Sequence, residues 1–540
     1  MQKSLLTLSI LLATTASYAQ DAGTILREVA TQPTITPATI TPLTTETGDI
    51  STDTTPISVS DVVLVGNTLL SAHKVEPHLA SIRGTSTTFG GLQSLARAIS
   101  DEYHKAGYPL ATVIIPPQRL EGGVVRLQVI EGSIGDVVVN NTSRVSDKAV
   151  KGYLDKSIKT GQPLRQTDSE RALLLIKDLA GTDNVNYRLQ GGNNGTDLAV
   201  ELDKSRLVDG FVQVDNYGSK STGEVRTRAG VNLNSPFGRG ERFSIQAMSS
   251  FKGVDYARAS LDVPVGYDGL MVSAGVGHTT YELGGAFKDL QATGTADTID
   301  VGIRKPLVRS NRHNVWASSS LEHRDLQDKV NSTSTVTDKS IKAVRFGFNG
   351  YHQDSLLAGG YTQWGVDSTI GKLDIDSADA KAIDSISART DGNYHKLSAN
   401  VARTQYLSPK LSLNLSANGQ WANKNLDSAE QMSLGGADGI SAYHSNDVSA
   451  DIGVIGQAEV RYALLPNLTV SGFYDVGRAK LRAKPYTTQE NFINLHGGGV
   501  GLYTHYKNLS LQGKVAWQGG HETFNPNKDP RVWVRAGYNF

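Results

Sequence analysis

The sequence predicts a transmembrane antiparallel β-barrel of about 16 strands, preceded by two small α+β domains and an N-terminal helix. Three observations carry that expectation. After the first nineteen residues the longest aliphatic run is Ala172-Leu-Leu-Leu-Ile176, far short of the roughly 20 apolar residues a membrane helix needs. A closed barrel is the other structure that crosses hydrocarbon with every backbone group paired. Beyond Ser205, some 335 residues lose helical periodicity and alternate polar with apolar side chains between turns.

The elements follow in chain order. Lys3, the apolar stretch Leu5 to Ala13 and the small-x-small site Ser17-Tyr18-Ala19 predict a signal peptide over residues 1–19. Residues 20–30 read as a short helix, with Asp21 able to cap it and Ile25, Leu26 and Val29 on one face. A disordered N-terminal segment is an equal alternative at this point. Residues 31–57 form a linker: between Thr31 and Pro56 stand eleven threonines and four prolines without Lys or Arg. That composition cannot build a core, and as a flexible coil it spans roughly 30 Å.

Residues 58–132 and 133–204 each read as a βααββ unit. In the first, Val59 to Val65 opens the unit. Leu92, Leu95, Ala96, Ile99 and Tyr103 then share a helical face that ends at Gly107-Tyr108-Pro109, and strands Leu110 to Ile115 and Val124 to Ile130 follow. In the second, Ile134 to Val139 precedes a helix striped by Ala172, Leu175, Ile176 and Leu179, for which Thr167-Asp-Ser-Glu170 is the expected capping box. Gly181 stops that helix, and strands near Val185 to Leu189 and Asp197 to Leu202 complete the unit.

Residues 205–540 form the barrel. Leu411-Ser-Leu-Asn-Leu-Ser-Ala-Asn418 puts its apolar and polar residues on opposite faces. In the closing strand Val532, Val534, Ala536, Tyr538 and Phe540 suit lipid, whereas Arg535 suits a wet lumen. Short turns such as Ser408-Pro-Lys410, Pro466-Asn467 and Lys507-Asn508 are the expected periplasmic connections. Asp325 to Lys339 and Asp374 to Asp391 are the expected long external loops.

The charges balance, 53 basic against 53 acidic residues, so no global field attracts nucleic acid. The absence of cysteine excludes disulfides, thiolate nucleophiles and cysteine-ligated metals. Gly365 to Lys372 imitates a phosphate loop with the wrong spacing, and Asp374, Asp376 and Asp379 lack the glycine and distal glutamate of a calcium loop. The twelve histidines form no zinc motif, and there is no Gly-x-Ser-x-Gly elbow. The expectation is therefore a non-enzyme with no catalytic residues, metal or cofactor.

Three stretches carry a family resemblance. Val214 to Arg226 followed by Asn234-Ser-Pro-Phe-Gly238, then Leu434-Gly-Gly-Ala-Asp-Gly-Ile-Ser-Ala-Tyr443, then Phe473-Tyr-Asp-Val-Gly477 resemble the outer-membrane transporters of two-partner secretion. These form the TpsB family, in the superfamily of the barrel-assembly protein, with the transporters of contact-dependent growth inhibition among them. The resemblance implies that 58–132 and 133–204 are polypeptide-transport-associated (POTRA) domains in the periplasm and that residues 20–30 are a plug helix. It implies a lumen loop built on Gly435, Gly436, Gly439, Ile440, Ser441, Ala442 and Tyr443, and a strand motif of Phe473, Asp475 and Gly477 facing it. Ser441 stands where the family has an arginine, so the loop-to-Asp475 ion pair is lost. Either a basic residue such as Arg478 compensates, or hydrogen bonds from Ser441 and Tyr443 hold a looser loop.

Tyr538 and Phe540 resemble the signal read by the barrel-assembly machinery. The implied partners are a large secreted exoprotein with an N-terminal secretion domain, outer-membrane lipids and that machinery; the implied state is a monomer in the outer membrane. The rival readings are an insertase of the same superfamily and a passive porin, the latter having no use for the 147 residues from Ser58 to Lys204.

Overall fold

The computed structural model describes residues 20–29, 50–193, 195–445, 447–519 and 529–540. The expected signal peptide and most of the linker lie outside the described residues.

Helix α1 (Ala22–Val29) comes first. The first α+β domain contains β1 (Ile57–Val59), β2 (Asp61–Val65), α2 (Ala72–Ala80), β3 (Thr85–Thr87), α3 (Phe89–Lys105), β4 (Thr112–Ile114) and β5 (Val124–Ile130). Its sheet order is β2-β5-β4, with β1 and β3 pairing separately. The spacing that marked α3 works as read: Leu92, Leu95, Ala96, Ile99 and Tyr103 are all buried in the domain's core. Thr88 caps the helix by accepting from the Gly91 amide. The Tyr103 hydroxyl donates to Asn67 Oδ1 at 2.6 Å, and burial pushes that phenol up to about 12.

The second domain contains β6 (Ile134–Asn141), α4 (Asp147–Ser157), α5 (Gln166–Lys177), β7 (Val185–Gly192) and β8 (Gly195–Leu202), with sheet order β6-β8-β7. Its core gathers Ile134, Leu154, Leu174, Ile176 and Leu198. The capping box expected at Thr167 is absent, because α5 begins earlier, after Arg165, with no side-chain cap. The Gln166 amide donates instead to Gly107 O at 2.9 Å, so contact between the two domains replaces the local cap.

Sixteen strands then close into an antiparallel barrel. They are β9 (Val208–Asp215), β10 (Arg226–Asn234), β11 (Arg242–Ser249), β12 (Val254–Val265), β13 (Leu270–Glu282), β14 (Ala292–Arg309), β15 (His313–Val330) and β16 (Thr335–Asp354). There follow β17 (Gly360–Ile375), β18 (Gly392–Tyr406) and β19 (Leu411–Ala422). The series ends with β22 (Ile452–Leu465), β23 (Leu468–Lys480), β24 (Phe492–Tyr506), β25 (Leu509–Gln518) and β26 (Arg531–Asn539). The short β20 (Met432–Ser433) and β21 (Ser449–Ala450) pair inside the long connection between β19 and β22. The β26–β9 seam has only five register pairs, and the Asn216 side chain lengthens it by bonding Val532 O and the Val534 amide.

The segment Asp325 to Lys339 is not a loop. Strands β15 and β16 run to Val330 and from Thr335, leaving a four-residue tip. Above the membrane the outward face turns polar, and the inward face mixes polar with apolar residues against α1, so no clean alternation remains and the hairpin looks like a loop. The other expected loop contains helix α6 (Ala378–Ile386). Gly365 to Lys372 is uninterrupted strand within β17.

The second α+β domain is seated on the barrel's short turns, which fixes that end as periplasmic. Arg309, 2% exposed, donates from Nε and Nη2 to the two Asp178 oxygens at 2.8 and 2.7 Å. The Ser146 amide donates to Gly238 O at 2.8 Å and the Ala180 amide to Gly240 O at 3.2 Å. Tyr267 packs edge-on against Tyr153, directly over Gly152, where a Cβ would meet its ring at 2.4 Å.

Candidate functional site: a doubly plugged lumen

Two segments fill the lumen. Helix α1 lies inside the external half of the barrel, enclosed on all sides. Ile25 and Val29 are fully buried and Leu26 half-buried among Met248, Tyr281, Leu326 and Leu373 of the wall. The three residues expected to share one face therefore do pack, but the opposite face is covered as well.

Polar contacts orient the helix. Asp21 accepts from the Thr24 amide at 2.9 Å, the N-cap geometry its position suggested. The N-terminal end sits beside Asp328 and Asp427: the Ala22 amide donates to Asp328 Oδ1 at 2.8 Å, and Lys339 Nζ reaches Asp427, Asp21 and Asp328 at 3.1, 3.4 and 3.6 Å. The C-terminal end sits beside Arg226, 3.3 Å from Glu28, and Arg228, whose Nη2 donates to Glu28 O at 3.4 Å. Carboxylates at the positive end of the helix dipole and guanidiniums at the negative end are the favourable arrangement.

The long connection between β19 and β22, the sixth on the external side and hence loop six, supplies the second plug. Leu434, Ile440, Ser441, Ala442 and Tyr443 are each at most 1% exposed, pressed against the inner wall. The glycines make the fold of the tip possible: a Cβ on Gly435 would meet His444 O at 2.1 Å, one on Gly439 would meet Leu434 O at 2.5 Å, and Gly436 has φ +110°. Glycines in the wall receive the loop. A Cβ on Gly477 would meet Ile440 Cδ1 at 2.5 Å, and one on Gly497 would meet Ala442 Cβ at 2.4 Å.

The wall strand motif meets the loop at Asp475, which is 2% exposed. The Ser441 amide donates to Asp475 Oδ2 at 2.9 Å, and Gln457 Nε2 bridges Gly439 O at 2.8 Å and Asp475 Oδ1 at 3.4 Å. Trp533 Nε1 donates to Ser441 O at 2.7 Å and Lys514 Nζ to Ala437 O at 3.2 Å. In place of an arginine at Ser441, the Ser441 amide and the side chains of Gln457, Lys514 and Trp533 hold the tip to the wall. Arg478 does not compensate; its guanidinium lies over the Phe492 ring. The Ser441 hydroxyl lies 3.5 Å from Ala437 O and also interacts with the Asp475 carboxylate, while Tyr443 Oη reaches His496 O at 3.4 Å. Phe473 lies under Lys514 Nζ at 5.4 Å.

The two plugs touch, a feature the sequence did not disclose. Arg27 Nη1 donates to Ser428 O and Gln431 O at 2.9 and 2.6 Å, and Nη2 to Ser449 Oγ at 2.9 Å; all three partners belong to the loop-six connection. Ser428 Oγ donates to Asp21. Gly23 lies so close that a Cβ would meet the Ala429 amide nitrogen at 2.7 Å. Glu430, held by Arg324 at 2.8 Å and Lys396 at 2.6 Å, ties the same connection to the wall. Tyr538 and Phe540 stack outward at the seam, where the Phe540 amide donates to Gly210 O at 3.0 Å.

Residues 194–504, more than half the chain, match the haemolysin secretion/activation proteins ShlB/FhaC/HecB, and residues 57–132 match the ShlB-type POTRA domain. The chain belongs to that family. It is 26% identical over 430 residues to the heme/hemopexin transporter protein HuxB of Haemophilus influenzae, covering 78% of this chain and 75% of the relative. It is 22% identical over 473 residues to the outer membrane transporter CdiB of Dickeya dadantii, covering 83% and 80%. The solved structure of CdiB from Escherichia coli superposes with a TM-score of 0.72 at 21% identity, over 92% of this chain and 93% of that one. As a member of this family the chain is an outer-membrane two-partner secretion transporter that translocates a partner exoprotein.

Proposed function

We propose that the partner is caught in the periplasm as an extended segment that adds a strand to an open sheet edge of the POTRA domains, and then passes through the lumen once α1 and loop six have left it. The sheet orders leave β2, β4, β6 and β7 as edges, and strand addition gives affinity through backbone pairing independent of cargo sequence. The observation that carries the reading is the helix itself: it occupies the path yet is a separate element, held by side-chain contacts and, among the described residues, joined to no barrel strand. The reading assigns no enzymatic step and no cofactor. It includes membrane lipids around a monomeric barrel and the barrel-assembly machinery during insertion.

The proposed cargo is an adhesin or a contact-dependent inhibition toxin, in line with the CdiB relatives. The higher identity to HuxB favours a second reading, cargo connected with heme or hemopexin transport. Deleting residues 57–132 in frame leaves the second domain seated on the barrel. Loss of the neighbouring exoprotein from surface and medium, with the barrel still inserted, is the expected result. Unchanged export would remove the POTRA-capture step.

A further inference from the structure

The register of β14 to β17 arranges the barrel's outward side chains in bands. Val301, Leu321, Val344 and Ile370 are cross-strand neighbours in an apolar band. Two residues further from the periplasm, His323, Lys342 and Lys372 stand side by side on three adjacent strands. Two residues further again, Asp297, Asp325, Ser340 and Asp374 form the next row. Strand β16 has 20 residues; at about 3.3 Å per residue and a tilt of about 40° it rises roughly 50 Å, twice an apolar band of about 25 Å. The row of His323, Lys342 and Lys372 therefore sits where hydrocarbon gives way to headgroups on the external side.

The acidic row neutralises its neighbours unevenly. Asp325 pairs with His323 at 3.2 Å and Asp374 pairs with Lys372. Above Lys342 the row is interrupted by Ser340, and among the described residues Lys342 has no ion pair. Lys342 also faces Lys372 directly across the β16–β17 ladder, a like-charge pair that is destabilising on its own. A lysine that merely extends toward interfacial water needs neither the adjacent cation nor the gap in the acidic row.

We infer that the outward face of β15 to β17 binds the phosphate of an acylated outer-leaflet glycolipid, with Lys342 and Lys372 on the phosphate and the apolar band beneath them against its chains. Lysine is a good point-charge partner for phosphate, and the order apolar, cationic, acidic matches chains, phosphate and hydrated sugar read outward.

The test uses the full chain in detergent micelles, titrated with diphosphoryl lipid A and with fully dephosphorylated lipid A, bound lipid being counted by native mass spectrometry. Binding of the diphosphoryl form is expected to weaken at least tenfold in Lys342→Glu/Lys372→Glu, and to weaken also in Ser340→Asp, which completes the acidic row without touching a lysine. Lys329→Glu, higher on the same barrel, is expected to bind as the unaltered chain does. Equal binding of the dephosphorylated lipid, unchanged binding in both row variants, or saturation of the row by inorganic phosphate in place of lipid would each overturn the inference. None of these outcomes depends on secretion.

Discussion

Ile440 and Ala442 enter spaces that exist because residues 477 and 497 have no side chain. Gly477→Val and Gly497→Val are therefore expected to expel the tip of loop six, seen as new protease cleavage between residues 434 and 443 in folded barrels. A gentler change tests the anchor: Asp475→Ala removes the acceptor of the buried Ser441 amide, costing about 1–3 kcal/mol of loop docking. The expected readout is a matching rise in cleavage and in channel fluctuations; unchanged protection would mean that apolar packing alone holds the loop. The motif was legible because its glycines and aspartate are the positions at which the tip meets the wall. The substitute for the missing arginine was not, since much of it is the Ser441 amide and the tip carbonyls, which no side-chain identity records.

Among the elements, α1 was legible as a helix from Asp21, Ile25 and Val29, but not its enclosure, which depends on wall strands and on a connection up to 422 residues away in sequence, as in the Arg27–Ser449 bond. The touching plugs lead to a coupled expectation. Arg27→Ala leaves the carbonyls of Ser428 and Gln431 without their donor, and Gly23→Val drives a side chain into Ala429. Both should raise pore conductance and, because the same connection leads into loop six, also raise cleavage of the loop. Higher conductance with unchanged loop protection would show that the plugs move independently. Strand order and the alternation in the membrane were readable; the outer ends of β15 and β16 were not, for the sequence loses its two-faced character where lipid ends.

At the scale of the whole molecule, the second α+β domain is joined to the barrel by an ion pair, backbone bonds and ring packing. Asp178→Ala strands Arg309, which is nearly closed off from solvent, and should weaken the seat by about 1.5–3 kcal/mol. Faster hydrogen exchange in α5 and the turn at Gly238 would report it; unchanged exchange would place the seat in the Tyr153–Tyr267 packing instead. The order of domains could be read from periodicity, whereas the seat could not, since it joins partners far apart in sequence, such as Asp178 with Arg309 and the Ser146 amide with Gly238 O.

The claim on which the account turns is that cargo uses the lumen that α1 now fills. The chain has no cysteine, so Asp21→Cys with Ser428→Cys introduces the only thiols, at two side chains already in hydrogen-bond contact. Exoprotein export from cells carrying this pair should stop on oxidation and resume with reductant, while each single variant exports throughout. Undiminished export from barrels whose cross-link has been shown to form would contradict the account.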